Sequence, residues 1–197
     1  MFILFHCSLS THYTATRFPN YYYISHIEED LHVPGNILLA QGDQLNSWNP
    51  SDKKKTHVVG STHGYQEGIG AGALFNWIAG FTQISPTEVV VVDGGNDCLR
   101  NVNRITLQTE QLVGQCESSG YADGVGNNSR FNSLHYVIKD LMSSNHLIVT
   151  DQDNNGNAVL RSVDLVTLNV TLFAPIPNDT TYINGITQQE DSGNFFV

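Results

Sequence analysis

The residues best suited by type and spacing to do chemistry run from Asp151 to Gly156, Asp-Gln-Asp-Asn-Asn-Gly. Oxygen-bearing side chains stand at the first, third and fifth positions, Asp151, Asp153 and Asn155, with glycine at the sixth for a sharp turn. That matches the first half of a calcium loop. The bidentate glutamate expected at the twelfth position is Ser162 instead. The same six residues also make an Asx- and glycine-rich hairpin turn, which needs no metal. The expectation is no cofactor, with calcium at this turn as the one candidate. A second cluster, His26, Glu28, Glu29, Asp30 and His32, mixes ligand types but has no matching histidine elsewhere, and reads as a solvated acidic turn. Gly-x-Ser-x-Gly does not occur and the eight histidines follow no pattern, so no nucleophile–histidine arrangement can be assembled. Cys-x-x-Cys is absent as well, so neither a zinc site nor a redox pair is indicated. Catalytic residues: none is expected.

Charge narrows the partners. The 197 residues carry 19 acidic against 9 basic side chains, a net charge of −10. This disfavours non-specific nucleic-acid binding, which works by neutralising phosphates. Lys53, Lys54 and Lys55 form one run and read as a solvated hairpin tip rather than a basic face. No apolar run approaches the ~18 residues that span a membrane, so no membrane partner is expected. The N-terminus, MFILFHCSLS, lacks the positive region and small-residue cleavage site of a signal peptide. Few lysines and arginines amid abundant Asn, Gly, Ser and Thr nonetheless suit a secreted protein. Three sequons begin at Asn127, Asn169 and Asn178, each an acceptor for an N-linked glycan if the chain is secreted.

The framework that positions these residues is a repeat. Gly64, Tyr65, Gly68, Gly70, Phe75 and Asn76 recur as Gly120, Tyr121, Gly124, Gly126, Phe131 and Asn132, each pair 56 residues apart, and Asp93 recurs as Asp151. Phe18 precedes Phe75 by 57 residues, so the period reaches back towards the first residues, where 2–6 read as a strand. Each unit offers up to four short strands between turn residues. In the first they are 22–27, 37–40, 45–48 and 56–59; in the second 81–84, 88–92, 99–103 and 110–113; in the third 136–138, 147–150, 159–164 and 170–173. A fourth unit starts at 182–186 and stops within a strand at 194–197. The second strands, NILLA, EVVVVD, HLIVTD and NFFV, are nearly continuous in apolar residues, as suits strands covered on both faces. No window holds a sustained i, i+3, i+4 apolar pattern. The fold class is therefore all-β. Four-stranded units with glycine-rich links predict a β-propeller or part of one, a single repeat domain over 1–197. Its units are approximately 20–59, 60–113 and 114–173, with a partial blade from 174–197 and 1–19.

The pattern G-x-C-x-x-x-G-Y-x-D-G-x-G…F-N…V-x-D…R-x-V resembles NHL repeats. It is carried by Gly114, Cys116, Gly120, Tyr121, Asp123, Gly124, Gly126, Phe131, Asn132, Val149, Asp151, Asn155, Arg161 and Val163. The preceding copy keeps Gly60, Gly64, Tyr65, Gly68, Gly70, Phe75, Asn76, Val91, Asp93, Asn96, Arg100 and Val102 but has Glu67 for the aspartate and no cysteine at Ser61-Thr62. The resemblance implies a propeller, most often six-bladed. The chain is then a fragment of a longer propeller, a closed four-bladed ring, or an arc whose open edges pair with another copy. Cys98 and Cys116 flank the third-to-fourth strand hairpin of the second unit; they either bridge in an oxidising compartment or stay buried free thiols, and Cys7 is left over. The expected function is a secreted, glycosylated structural or interaction scaffold with protein partners, including a homo-oligomer or filament. The alternatives are a fragment of a metal-dependent lyase or lactonase-type propeller enzyme, or an intracellular module binding RNA or protein.

Overall fold

A computed structural model describes residues 24–176, 185–189, 192 and 194–196. The expected strand at 2–6, Cys7, Phe18, Tyr21 to Tyr23 and the sequon at Asn178 lie outside the described residues. Three antiparallel sheets follow one another along the chain. The first holds β1 (Ile24–Glu29), β2 (Ile37–Gln41), β3 (Gln44–Asn49) and β4 (Lys54–Val59), in that spatial order. The second holds β5 (Gly68–Ile69), β6 (Ile78–Ser85), β7 (Glu88–Asp93), β8 (Cys98–Asn103) and β9 (Gln108–Val113), arranged β5-β9-β8-β7-β6. The third repeats this with β10 (Gly124–Val125), β11 (Val137–Lys139), β12 (His146–Gln152), β13 (Ala158–Asp164) and β14 (Asn169–Pro175), arranged β10-β14-β13-β12-β11. A small pair, β15 (Thr187–Gln188) with β16 (Phe195–Phe196), follows. Gly185 and Ile186, expected in the first strand of that unit, are not in a strand.

All twelve strands expected in the three units form, with ends shifted by a few residues. The units are not purely four-stranded, however. β5 and β10, two residues each, come from the glycine-rich links and pair with the outermost strands β9 and β14. Each third-to-fourth strand pair also carries a bulge at the same rung, beside Asn46, Arg100 and Arg161. Nothing in the residue pattern announced that shared irregularity.

Alternation explains the apolar second strands. Val89 and Val91 point to a cluster with Leu38, Ala40, Leu45 and Phe75, between the first and second sheets. Val90 and Val92 point the other way, to Leu134, Val137, Leu147 and Val149 of the third. All four valines are fully buried, each contributing roughly 1.5–3 kcal/mol relative to exposure. A sheet packed on both faces needs apolar residues on both, which is why EVVVVD does not alternate. The first sheet repeats this on its far face with Ile37, Leu39 and Trp48. The innermost strands approach closely: a Cβ on Gly80 of β6 would stand 2.9 Å from the His135 carbonyl oxygen.

Links between sheets are held by two buried arginines. Arg100 and Arg161 have no exposed surface. Arg100 donates from Nη1 to Asp93 Oδ2 (3.1 Å) and the Leu74 carbonyl (2.5 Å), and from Nη2 to the Gln66 carbonyl (2.6 Å). Arg161 donates from Nη1 to Asp151 Oδ2 (2.8 Å) and the Arg130 carbonyl (3.2 Å), and from Nη2 to the Ala122 carbonyl (2.9 Å). Each guanidinium stands over two rings, Arg100 over Tyr65 and Phe75 and Arg161 over Tyr121 and Phe131. The Asn76 and Asn132 amides donate to the same aspartates, each at 2.8 Å. The tyrosine, phenylalanine, asparagine and aspartate of the repeat are thus parts of one device that pins each link to the sheet it enters.

Gly60 and Gly114 open the two links with matching φ of 88° and 86°. A Cβ on Gly114 would stand 2.8 Å from the Phe131 ring and 3.1 Å from the Asp97 carbonyl oxygen. Both the left-handed backbone and this contact exclude a side chain. Gly114→Ala is expected to lower the unfolding free energy by about 2–3 kcal/mol in urea denaturation; a change below ~0.5 kcal/mol contradicts this packing.

Candidate functional site

Strand direction gives the arc two ends. At one lie the links between sheets and the turns at 42–43, 94–97 and 153–157. At the other lie the hairpins that join first to second strands and third to fourth. The expected sites fall on both ends.

Cys98 and Cys116 are joined as a disulfide with Cα atoms 5.0 Å apart, tying the start of β8 to the link after β9. The free-thiol alternative falls away. Asp151, Asp153 and Asn155 do not fit a calcium loop as placed. Asp151 is buried, and its oxygens accept from Arg161 and from the Asn132 and Ser133 amides. Asp153 faces solvent and caps its own turn, accepting from the Asn155 and Asn157 amides and from Asn157 Nδ2. These bonds hold the Asp153 carboxyl below its ordinary value. Among the described residues no group of three or more His, Cys, Asp or Glu is placed to hold a metal ion. Asn155 holds the place of Asn96 in the repeat pattern, but the two differ: Asn96 donates to Asp93 and the Gly64 carbonyl, whereas Asn155 is exposed. The departure from the repeat at Glu67 also has a structural reading. Glu67 Oε1 accepts the Gln111 amide, while Asp123 Oδ1 takes Arg161 as well.

The acidic turn is not solvated throughout. Asp30 is fully buried and accepts both terminal nitrogens of Arg104, at 3.1 Å each, from 74 residues away. Ser47 Oγ donates to Asp30 Oδ2 at 2.5 Å. Burial pushes the Asp30 carboxyl up, but Arg104 and the Ser47 and His32 donors outweigh it and hold the group below its ordinary value. Glu28 is likewise engaged, accepting from Gln83 Nε2 at 3.0 Å. The cluster joins the first sheet to the second. No local pattern could have shown this, because Arg104 is remote in sequence. His32 is exposed, as expected for a turn.

The sequons differ in setting. Asn127 is exposed; its partner Ser129 is buried, donating to the Gly126 carbonyl and accepting the Gly114 amide. Asn169 is half-buried at the start of β14, paired with Val125.

The feature that sequence reasoning missed is Trp77, next to the repeat's Phe75-Asn76. It is 42 % exposed and has φ of 61°, an unusual backbone for a bulky residue. Its amide donates to Asp43 Oδ1 at 2.7 Å, and its carbonyl accepts the Gly94 amide at 3.0 Å. The Ile78 amide donates to the Gly42 carbonyl at 2.8 Å. At the matching position Ser133 donates instead to Asp151 of its own unit. Trp77 is therefore turned by the neighbouring sheet. Its ring packs against Gly94, where a Cβ would stand 3.1 Å from Cε3, and makes a T-shaped contact with His135 at 5.5 Å.

Asp97 lies in the turn that follows Gly94, in the left-handed region with φ of 54°. Burial, with Asp151 and Asp93 nearby, pushes its carboxyl up to about 6 against a Ser119 hydrogen bond. Burial also pushes the Asp93 and Asp151 carboxyls up, opposed by their donors.

No protein-family model matches the sequence, and no curated protein matches it. Solved structures do. The nidogen/laminin complex aligns with a TM-score of 0.62 at 12% identity, over 87% of this chain and 55% of that chain. The extracellular domain of a hybrid two component system from B. thetaiotaomicron aligns at 0.57 and 12% identity, over 87% of this chain and 20% of that one. An auxiliary nutrient binding protein from Bacteroides ovatus aligns at 0.53 and 16% identity, over 77% and 36%. The chain thus spans 20–55% of the length of these structures. At such identities the likeness speaks to the fold alone. Together with the sheets, it makes the chain an all-β, propeller-type arc whose described blades do not close into a ring.

Asp97 predicts a pH effect. A carboxyl with its folded pKa raised to about 6 adds stability below pH ~4 that is lost as pH rises through about 6. The group is only half-buried, so the effect is discounted for solvent screening to about 1 kcal/mol. Asp97→Asn is expected to raise stability at pH 7 by that amount and to flatten its fall between pH 4 and 7 in denaturant titrations. An unchanged profile contradicts the assignment.

Proposed function

We propose that the chain is an interaction module, an extracellular β-propeller-type scaffold that offers a rigid surface to a partner protein and performs no catalysis. The observation that carries this reading is Trp77. A large aromatic side chain is held exposed, in a backbone conformation it rarely adopts, by bonds from two sheets at once. Strain kept in place by its surroundings is characteristic of working surfaces. Exposed tryptophans are also prominent among the residues that carry binding energy at interfaces. The buried charged residues, by contrast, are bound to one another and to link carbonyls, which makes them structural.

An extracellular setting is supported by the Cys98–Cys116 disulfide, by the sequons, and by the extracellular domain among the similar folds. The resemblance of the repeat to NHL propellers points the same way as the scaffold reading. Fold likeness does not carry function, so the surface chemistry carries the proposal.

In protein purified from its native source, glycosidase treatment is expected to lower the mass of the Asn127 peptide. Because Ser129 is buried, the sugar would be attached before the link folds. Cys98 and Cys116 are expected to be recovered as one linked peptide pair. An unmodified Asn127 together with free thiols would end the extracellular reading.

A further inference from the structure

The link end of the arc carries the larger excess of acid. At the hairpin end Lys53, Lys54, Lys55 and Lys139 are offset by Asp52, Glu88, Asp140 and Asp164, and Arg104 is paired with Asp30. At the link end stand Asp43, Asp97 and Glu117, with Asp97 beside Ser119 and the Glu117 amide donating to the Asn96 carbonyl. The described arginines at that end are committed: Arg100 and Arg161 are buried, and Arg130 bonds Gln115. Trp77 stands at the same end, its amide donating to the Asp43 carboxylate.

The Trp77 ring packs against Gly94 and makes a T-shaped contact with His135, while 42 % of the residue remains open to solvent. That is a braced platform. The face of an indole is electron-rich and attracts a cation placed over it. Nearby carboxylates and a net charge of −10 strengthen that preference and repel phosphates and acidic segments. Guanidinium suits the platform better than ammonium, because it is planar, stacks on aromatic faces and gives up its hydration more readily.

We propose that the link end of the arc is a docking site for a basic segment of a partner protein, with an arginine side chain stacked on Trp77 and Asp43, Asp97 and Glu117 supplying the surrounding negative charge. This rests on the reading of the chain as an interaction module and names the chemistry of its partner. Asp43 has two roles, holding the Trp77 backbone and placing charge beside the ring. The unusual backbone is then the means by which the first sheet aims a side chain of the second.

The test uses the full chain and an acetylated, amidated peptide of four Arg-Gly repeats, with the Glu-Gly peptide as control and maltoheptaose as a neutral probe. Tryptophan fluorescence reads binding at Trp77, because Trp48 is buried. The Arg-Gly peptide is expected to bind and the Glu-Gly peptide not, with affinity falling at least about threefold from 50 to 500 mM NaCl as the charges are screened. Trp77→Ala is expected to weaken binding about tenfold or more and Trp77→Phe less, following the ring order of cation attraction. The exposed Glu117→Gln is expected to weaken it about twofold, and this substitution leaves the fold alone. If Trp77→Ala does not fold, Glu117→Gln and Asp43→Asn decide: unchanged affinity in both overturns the proposal. Equal binding of both peptides overturns it too, as does full affinity in a folded Trp77→Ala. Maltoheptaose quenching without a response to Arg-Gly overturns the cationic partner but leaves the interaction module standing. Silence from every probe also overturns the cationic partner, and the glycan and disulfide mapping then judges the extracellular reading separately.

Discussion

Two guanidinium groups without any solvent contact set the terms for the rest of this structure. Taking an ion out of water costs several kcal/mol, and only close, well-aimed partners offset it. Arg100 and Arg161 meet that demand in the same way, with a carboxylate on the neighbouring strand, two carbonyls from the incoming link and two aromatic rings. The carbonyls belong to a segment that otherwise has little to hold it. Satisfying the arginine therefore fixes the link, and the link fixes where the innermost strand of the next sheet begins. Trp77 and Ser133 stand just before those strands, so the shape of the link-end surface descends from the buried charge.

The first sheet shows what happens without the device. At the rung occupied by Arg100 and Arg161 it has Asn46, buried and with neither amide atom hydrogen-bonded. Besides the Asp43–Trp77 and Gly42–Ile78 bonds at the link end, this sheet is tied to its neighbour at the opposite end through the buried Asp30–Arg104 pair and the Glu28–Gln83 bonds. The first sheet, which has Asn46 where the repeat has arginine, is fastened differently.

Much of the fold was legible because it rests on patterns within a few residues of one another. Apolar second strands betray a sheet covered on both sides. A repeated Gly-Tyr…Phe-Asn…Asp betrays a unit. The arginines were visible as members of that repeat, but their role was not, since it needs carbonyls some 30 residues away. The short edge strands β5 and β10 were hidden for the same reason, being made by pairing across the link. The Asp30–Arg104 pair left no local trace at all, and a cluster of acids around it suggested water. Trp77 leaves no mark in the sequence because its neighbours make it a spacer in the repeat; only the Asp43 carboxylate, supplied by another sheet, makes it distinctive.

Asp151 and Arg161 act as one unit in holding the third blade to its link. A double-mutant cycle built from Asp151→Asn, Arg161→Gln and the double variant, measured by urea denaturation, tests this most directly. The account predicts a coupling of about 2 kcal/mol or more, since losing Arg161 strands a buried carboxylate and losing Asp151 leaves Arg161 only the exposed Asp123 as a counter-charge. Additive losses, with coupling below about 0.5 kcal/mol, would mean that the link is held by its apolar contacts and that the buried charges are incidental.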